Sequence, residues 1–240
     1  MSLEINKNFA IIIGNFDGCH LGHKYYIDSA LIEAKKMNCD LFVITFNPHP
    51  KMVLKPQQNY LLSSREEKLK SLNIIKDLKV LEIEFNRDLS NLSGKDFLKK
   101  NILSPFLKAI FWGHDLKIGM DGLDNFTELS QDPAFSEIRF VKISPLIINK
   151  QNVCSSIIRN LLISGKIEDA NSFLNRQYTV EGTVMRGHGR GAQIGIRTAN
   201  LNYDKTRLMP GGGVYLTNTK YLGNNFKSVT NIGVNPTFGA

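Results

Sequence analysis

The side chains best suited to chemistry are gathered in one stretch, Ile13-Gly14-Asn15-Phe16-Asp17-Gly18-Cys19-His20-Leu21-Gly22-His23-Lys24. Two imidazoles three positions apart can donate hydrogen bonds to phosphate oxygens and stabilise negative charge developing there. Gly14, Gly18 and Gly22 let backbone come close to a ligand. A helix opening near His23 or Lys24 would present unpaired N–H groups and the positive end of its dipole, which suits an anion. Other readings of the same residues stay open. The histidines could be incidental loop polars. Asp17, Cys19, His20 and His23 could hold a metal, although their spacing matches no standard zinc pattern. Cys19 could be a nucleophile, although the sequence identifies no base to serve it.

The elements that must position this stretch are legible as an alternation of apolar runs and amphipathic segments up to about residue 150. Phe9–Ile13, Leu41–Phe46, Val80–Phe85, Ala109–Trp112 and Ile138–Ile143 read as strands. Lys24–Met37, Arg65–Lys76 and Lys95–Leu103 read as helices, the first with Ile27, Ala30, Leu31 and Ala34 on one face. Ser63 and Ser64, each with Glu three residues later, are capping-box candidates for the second helix. Nearly continuous apolar strands alternating with helices predict an α/β fold, a Rossmann-like parallel sheet covered on both faces. Ligands of such sheets bind outside the carboxyl ends of the strands, where the first strand delivers Gly14–His23. Ser155–Ile163 and Ile167–Leu174 read as two further helices around Gly165. From Tyr178 glycines crowd between short strand-like runs, Tyr178–Met185 and Gly213–Leu216, the texture of a small antiparallel β domain. The expected division is therefore 1–177 and 178–240.

Bulk properties narrow the partners. A formal net charge of +8 favours anions. The lysines are scattered, however (Lys35, Lys36, Lys68, Lys70, Lys99, Lys100), so most of this charge reads as solvated surface and no nucleic-acid signature appears. Small phosphorylated ligands are the more economical partners; the sequence is silent on oligomeric state. Three cysteines without paired spacing argue for a reducing compartment. No leader-like or membrane-length apolar segment is visible, so the expectation is a cytoplasmic protein away from membranes.

Further motifs stand in order along the chain: Phe46-Asn47-Pro48-His49-Pro50 after the second strand, Trp112-Gly113-His114-Asp115-Leu116-Lys117-Ile118-Gly119 after the fourth, and Val153-Cys154-Ser155-Ser156-Ile157-Ile158-Arg159 at a helix start. Alone, Asn47–Pro50 would be a turn and Ser155 an N-cap. Hydroxyls and N–H groups at a helix N-terminus with a guanidinium one turn on nevertheless suit an anion. Together with His20-Leu21-Gly22-His23, an H-x-G-H signature of nucleotidyltransferases, these motifs resemble the bacterial bifunctional riboflavin kinase/FMN adenylyltransferases. The departures are aliphatic Leu116 and Ile118 where that family has aromatics, and Cys154 and Ile157 in the third motif.

The resemblance implies FAD formation from FMN and ATP with release of pyrophosphate. It implies His20 and His23 as catalytic residues, and Gly14, Asn15, Phe16, Asp17, Gly22, Asp115, Ser155, Ser156 and Arg159 at ATP and its phosphates, with Asn15 and Asp17 either touching ligand or shaping the turn. In the glycine-rich half it implies a kinase converting riboflavin to FMN, with Gly187, Gly189 and Gly195 forming a nucleotide loop and Thr198 and Asn200 holding Mg²⁺. Arg197 stands where the family has proline, which removes a fixed φ from that loop. The resemblance further expects the kinase's carboxylate base, and the strands closing its barrel, to lie beyond Ala240; no acidic residue follows Asp204. The second domain is therefore read as the N-terminal part of an antiparallel barrel, in which the resemblance implies kinase activity only if the domain is complete. Competing readings are another H-x-G-H nucleotidyltransferase with a different acceptor, a non-catalytic flavin-binding module, and a nucleic-acid-binding protein.

Overall fold

A computed structural model describes residues 6–124, 126–185 and 198–233. The chain forms two compact units, one of Met1–Gln57 with Ser63–Cys154, the other of Gln58–Leu62 with Ser155–Ala240.

In the first unit the elements run β1 (Phe9–Ile13), α1 (Leu21–Lys36), β2 (Asp40–Asn47), α2 (Pro50–Leu54), α3 (Arg65–Asn73), β3 (Leu78–Glu84), α4 (Arg87–Ser90), α5 (Gly94–Asn101), β4 (Leu107–Gly113), α6 (Thr127–Ser130), β5 (Arg139–Ile143) and a short hairpin of β6 (Ile147–Ile148) and β7 (Gln151–Asn152). Five strands make one sheet in the order β3-β2-β1-β4-β5, every pair parallel. All five residues of the central strand β1 are buried. Phe9, Ile11 and Ile13 enter a core with α5 residues Phe97 and Leu98, while Ala10 and Ile12 enter the opposite core with Ile27, Ala30 and Ala34 of α1. Burial on both faces is why β1 reads as an unbroken apolar run. The chain winds to one side of β1 through β2 and β3, then returns to β4 on the other, so β1 and β4 flank the point where ligands of such sheets bind.

Helix α1 begins at Leu21, earlier than predicted, because its N-cap is His20, whose Nδ1 accepts from the His23 N–H at 3.2 Å. His23 therefore sits in the first turn rather than ahead of it. Of the two capping candidates for α3, Ser64 closes the box with Glu67. That helix stops at Asn73, short of the expected Lys76.

The second unit contains α7 (Ser155–Ile163) and α8 (Ile167–Leu174), joined through Gly165 at φ +73°, then β8 (Gly182–Met185), β9 (Asn200–Tyr203), β10 (Gly213–Tyr221) and β11 (Asn224–Ile232). β8 pairs with β9 and β10 with β11, both antiparallel. Gln58–Leu62 lies along residues 205–208: Tyr60 and Leu61 donate backbone hydrogen bonds to Thr206, and Leu208 donates to Leu61. The expected strand Tyr178–Met185 contracts to its last four residues. The expected Gly213–Leu216 extends through a run of polar residues that alternation alone did not mark. Residue 177, where the texture of the sequence changes, lies inside this unit. No helix among the described residues is long and apolar enough to cross a membrane.

Candidate active site

The turn after β1 is built by backbone shapes that few residues tolerate. Phe16, Gly18 and Cys19 have φ of +51°, +84° and +40°. Non-glycine residues at such angles are held there only by surrounding contacts. Cys19 N–H closes the turn on the Phe16 carbonyl at 3.1 Å. The Asp17 carboxylate, buried, accepts from the Ser63 N–H at 3.0 Å and the Ser63 hydroxyl at 3.2 Å, and the Gly18 N–H donates to that hydroxyl at 2.9 Å. Asp17 thus shapes the turn by fastening it to the residue before the α3 cap. Asn15 is exposed, and its carbonyl accepts from the Thr45 hydroxyl at 3.3 Å.

Beyond the turn the rings form a column. Phe16, fully buried, lies 5.1 Å from His23 and 6.4 Å from Tyr26, and His23 stacks on His20 with centroids 3.6 Å apart and planes 17° from parallel. The ring of Phe16 therefore packs behind the imidazoles. A Cβ on Gly14 would press on it at 3.1 Å. Tyr26 donates to the Phe111 carbonyl at 2.7 Å, tying α1 to β4, and burial keeps its hydroxyl protonated well above the usual phenol range. Because Nδ1 of His20 accepts a backbone N–H, its neutral form carries the proton on Nε2, which is then a donor. Gly22 has no room for a side chain: a Cβ there would run into the Val153 carbonyl oxygen and come within 3.1 Å of His20 Nδ1. The glycine between the two histidines is thus required by packing.

The remaining expected residues fall as follows. Asp115 stands on the loop after β4, the strand beside β1, with its side chain 72% exposed and 3.7 Å from His114 Nδ1. Ser155, half-buried, and Ser156, exposed, open α7 in the second unit. Arg159, one turn on, donates from Nε to the Tyr60 carbonyl at 2.9 Å, and its guanidinium lies 3.9 Å over the Tyr60 ring. Thr198 is exposed, and Asn200 opens β9 opposite Met185. Gly187, Gly189 and Gly195 lie outside the described residues. Among the described residues no group of three or more His, Cys, Asp or Glu could hold a metal ion.

Residues 2–157 match the family model for FAD synthetase and residues 174–240 the model for riboflavin kinase. The chain belongs to the FAD synthetase family. It is similar to bifunctional riboflavin kinase/FMN adenylyltransferases of Listeria monocytogenes, 32% identical over 98% of this chain and 74% of the relative, and of Buchnera aphidicola from Acyrthosiphon pisum, 30% identical over 98% and 76%. The Bacillus subtilis relative is 30% identical over 98% of this chain and 75% of its own length. A solved structure described as a macrolide-efflux protein from Streptococcus pneumoniae shares the fold, with a TM-score of 0.79 and 24% identity over 99% of this chain and 80% of that one.

Within this FAD synthetase family member, sequence reasoning missed Ser63, Thr45, Tyr26 and Lys68. Ser63 was visible only as a capping candidate, and its actual partner, Asp17, is 46 positions away. Lys68, grouped with the solvated lysines, is in fact buried at 8% exposure. It faces inward because the ends of its ammonium find carbonyl and hydroxyl oxygens at the tip of β2.

Proposed function

We propose that this chain makes FAD, transferring AMP from ATP to FMN in its first half, and that its second half carries the family's riboflavin kinase chemistry. A terminal phosphate oxygen of FMN attacks the α-phosphorus of ATP in line. The new P–O bond forms as the bond to the bridging oxygen of the β-phosphate breaks, and that electron pair leaves with pyrophosphate. No covalent enzyme intermediate is needed; positioning and charge stabilisation carry the catalysis. The observation that supports this most is the pair of stacked imidazoles at the first turn of α1, beyond the carboxyl end of the central strand. His20, its Nε2–H a donor, and His23 hold the triphosphate and stabilise the crowded phosphorus. Gly14, Asn15, Phe16, Asp17 and Gly22 shape the turn that presents them. Ser155, Ser156 and Arg159 grip the departing phosphates, and Asp115 faces the nucleotide.

The functional division follows residues 1–177 and 178–240. In the second part Gly187, Gly189 and Gly195, which lie outside the described residues, are assigned to nucleotide binding from the motif alone. The Thr198 hydroxyl and Asn200 amide are hard oxygen donors on exposed residues, and would suit Mg²⁺. Mg²⁺ there would neutralise phosphate charge. The partners are small molecules, ATP, FMN and riboflavin, and the compartment is the cytoplasm.

The test is incubation of the 240-residue chain with ATP, Mg²⁺ and either FMN or riboflavin, followed by separation of the flavins. FMN should yield FAD, and His23→Ala should slow that step by about 10²–10³-fold, the usual loss for one such donor. FAD formation within a few-fold of wild type in His23→Ala would overturn the assignment. FMN from riboflavin reports the second half separately.

A further inference from the structure

The carboxyl end of β2 contains a cation that the reaction does not explain. Lys68 lies on the second turn of α3, and its side chain is only 9% exposed. Its Nζ donates to the Phe46 carbonyl at 2.7 Å and to the Thr45 hydroxyl at 3.2 Å, and stands 3.6 Å from Glu82 on β3. Burial pushes its pKa down, with Glu82 opposing that shift. An ammonium in this position costs desolvation that a leucine or methionine would not incur.

Strand geometry explains why a donor is needed there. β1 and β2 pair as far as Ile13 and Ile44, and the Gly14 N–H makes the last bond, to the Ile44 carbonyl at 3.1 Å. Carbonyls two residues apart on a strand point the same way. The Phe46 carbonyl therefore faces the space β1 leaves when it turns off at Gly14. Lys68 Nζ takes the place of the missing N–H. The Thr45 hydroxyl, fully buried beside it, passes the connection on to the Asn15 carbonyl at 3.3 Å. The Lys68 backbone carbonyl also lies 3.8 Å from Cys19 Sγ, and Ser63 holds Asp17 and Gly18. The start of α3 thus grips the histidine-bearing turn and the end of β2 together.

We infer that Lys68 is a positioning residue for adenylyl transfer, its ammonium replacing the ladder donor that β1 withdraws and so fixing the Gly14–Cys19 turn against the Phe46–Pro50 turn. The inference rests on the adenylyltransferase reading above, and the wild-type assay separates the two: if wild type makes no FAD from FMN, that reading fails and this one with it. If wild type is active, Lys68→Met, which fills the volume without a donor, should lower kcat for FAD by about 10–100-fold, as sub-ångström to ångström displacement of positioned groups does. KM for ATP and for FMN should stay within about threefold, because ground-state contacts are not removed. Thr45→Val removes the hydroxyl that accepts from Lys68 and donates to the Asn15 carbonyl, leaves the Lys68–Phe46 bond in place, and should lower kcat by about 3–10-fold. Wild-type kcat in Lys68→Met, or a change confined to KM, overturns the inference. Should Lys68→Met fail to fold, Thr45→Val decides: unaltered kcat overturns the inference, and a lowered kcat at constant KM supports it.

Discussion

Gly22→Ala is the most direct probe of the signature turn. The added methyl would overlap the Val153 carbonyl oxygen and touch His20 Nδ1 at 3.1 Å. Neither neighbour is the flexible end of a long side chain: one is backbone and the other a ring buried to 3% exposure. Ordinary carbon–oxygen contacts are about 3.3–3.6 Å, so relief requires a displacement on the order of 1 Å between the start of α1 and Val153. Overpacking of this kind costs about 1–3 kcal/mol. At roughly 2–4 °C per kcal/mol for a chain of this size, Tm should fall by about 2–12 °C. The same displacement moves the His20 and His23 rings, and about 1 Å of misplacement can cost about 10²-fold in rate. The assay is kcat for FAD from FMN beside a thermal melt, with Gly212→Ala as the control, since a Cβ there meets only the Ile232 carbonyl at an ordinary 3.5 Å. Gly22→Ala with the Tm and kcat of wild type would refute the packing argument and leave the glycine unexplained.

Asp17 discriminates a turn-shaping carboxylate from a ligand-binding one. Asp17→Asn keeps the Oδ1 acceptor used by both Ser63 bonds and should hold kcat within about threefold, whereas Asp17→Ala removes it from a buried N–H and should cost about 1–3 kcal/mol of stability. Equal loss of activity in both variants would show that the charge itself is used. Asp132 gives a pH dependence with a definite sign. Its hydrogen bond from Lys99, at 2.8 Å, helped by the Ala134 N–H and by Lys95, holds its pKa down at about 2 instead of near 3.8. A depressed carboxylate stabilises the fold fully above its ordinary value and loses that contribution as pH falls through the lowered one. The Tm of wild type should therefore exceed that of Asp132→Asn at neutral pH, and the gap should close between about pH 4 and pH 2; a gap unchanged at pH 2 would contradict it.

What the sequence revealed and what it hid divide along a physical line. β1, α7 and α8 were legible to the residue, because burial on two faces or at helical spacing leaves a periodic apolar record. The start of α1 was not, since its cap is a histidine instead of the Ser, Thr, Asp or Asn that usually marks one. β10 and β11 were under-read because their ladder is lined by Thr217, Thr219, Ser228 and Thr230, which satisfy one another by hydroxyl contacts of 2.6–2.8 Å. The reactive residues of the turn were legible as types. Their supports were not, because Ser63 and Lys68 come from a helix start some 45 positions away, and nothing local distinguishes a buried lysine from a solvated one.

That division has a consequence for how the turn works. The buried polar groups Asp17, Thr45, Ser63 and Lys68 are engaged with backbone and with one another, and so set shape. The imidazoles stand at the start of α1, one fixed by capping the helix and the other stacked upon the first. A group that caps a helix cannot swing away without unsatisfying a backbone donor, so under the proposed assignment His20 would meet the triphosphate already held in place by the fold. Effects of substitution should accordingly sort by whether a residue presents a donor or holds the turn. Changes at the imidazoles would remove the proposed transition-state contacts directly, and at His20 the α1 cap as well, whereas changes at Asp17, Thr45, Ser63 and Lys68 would lower kcat by misplacing the same contacts and would also lower the melting temperature.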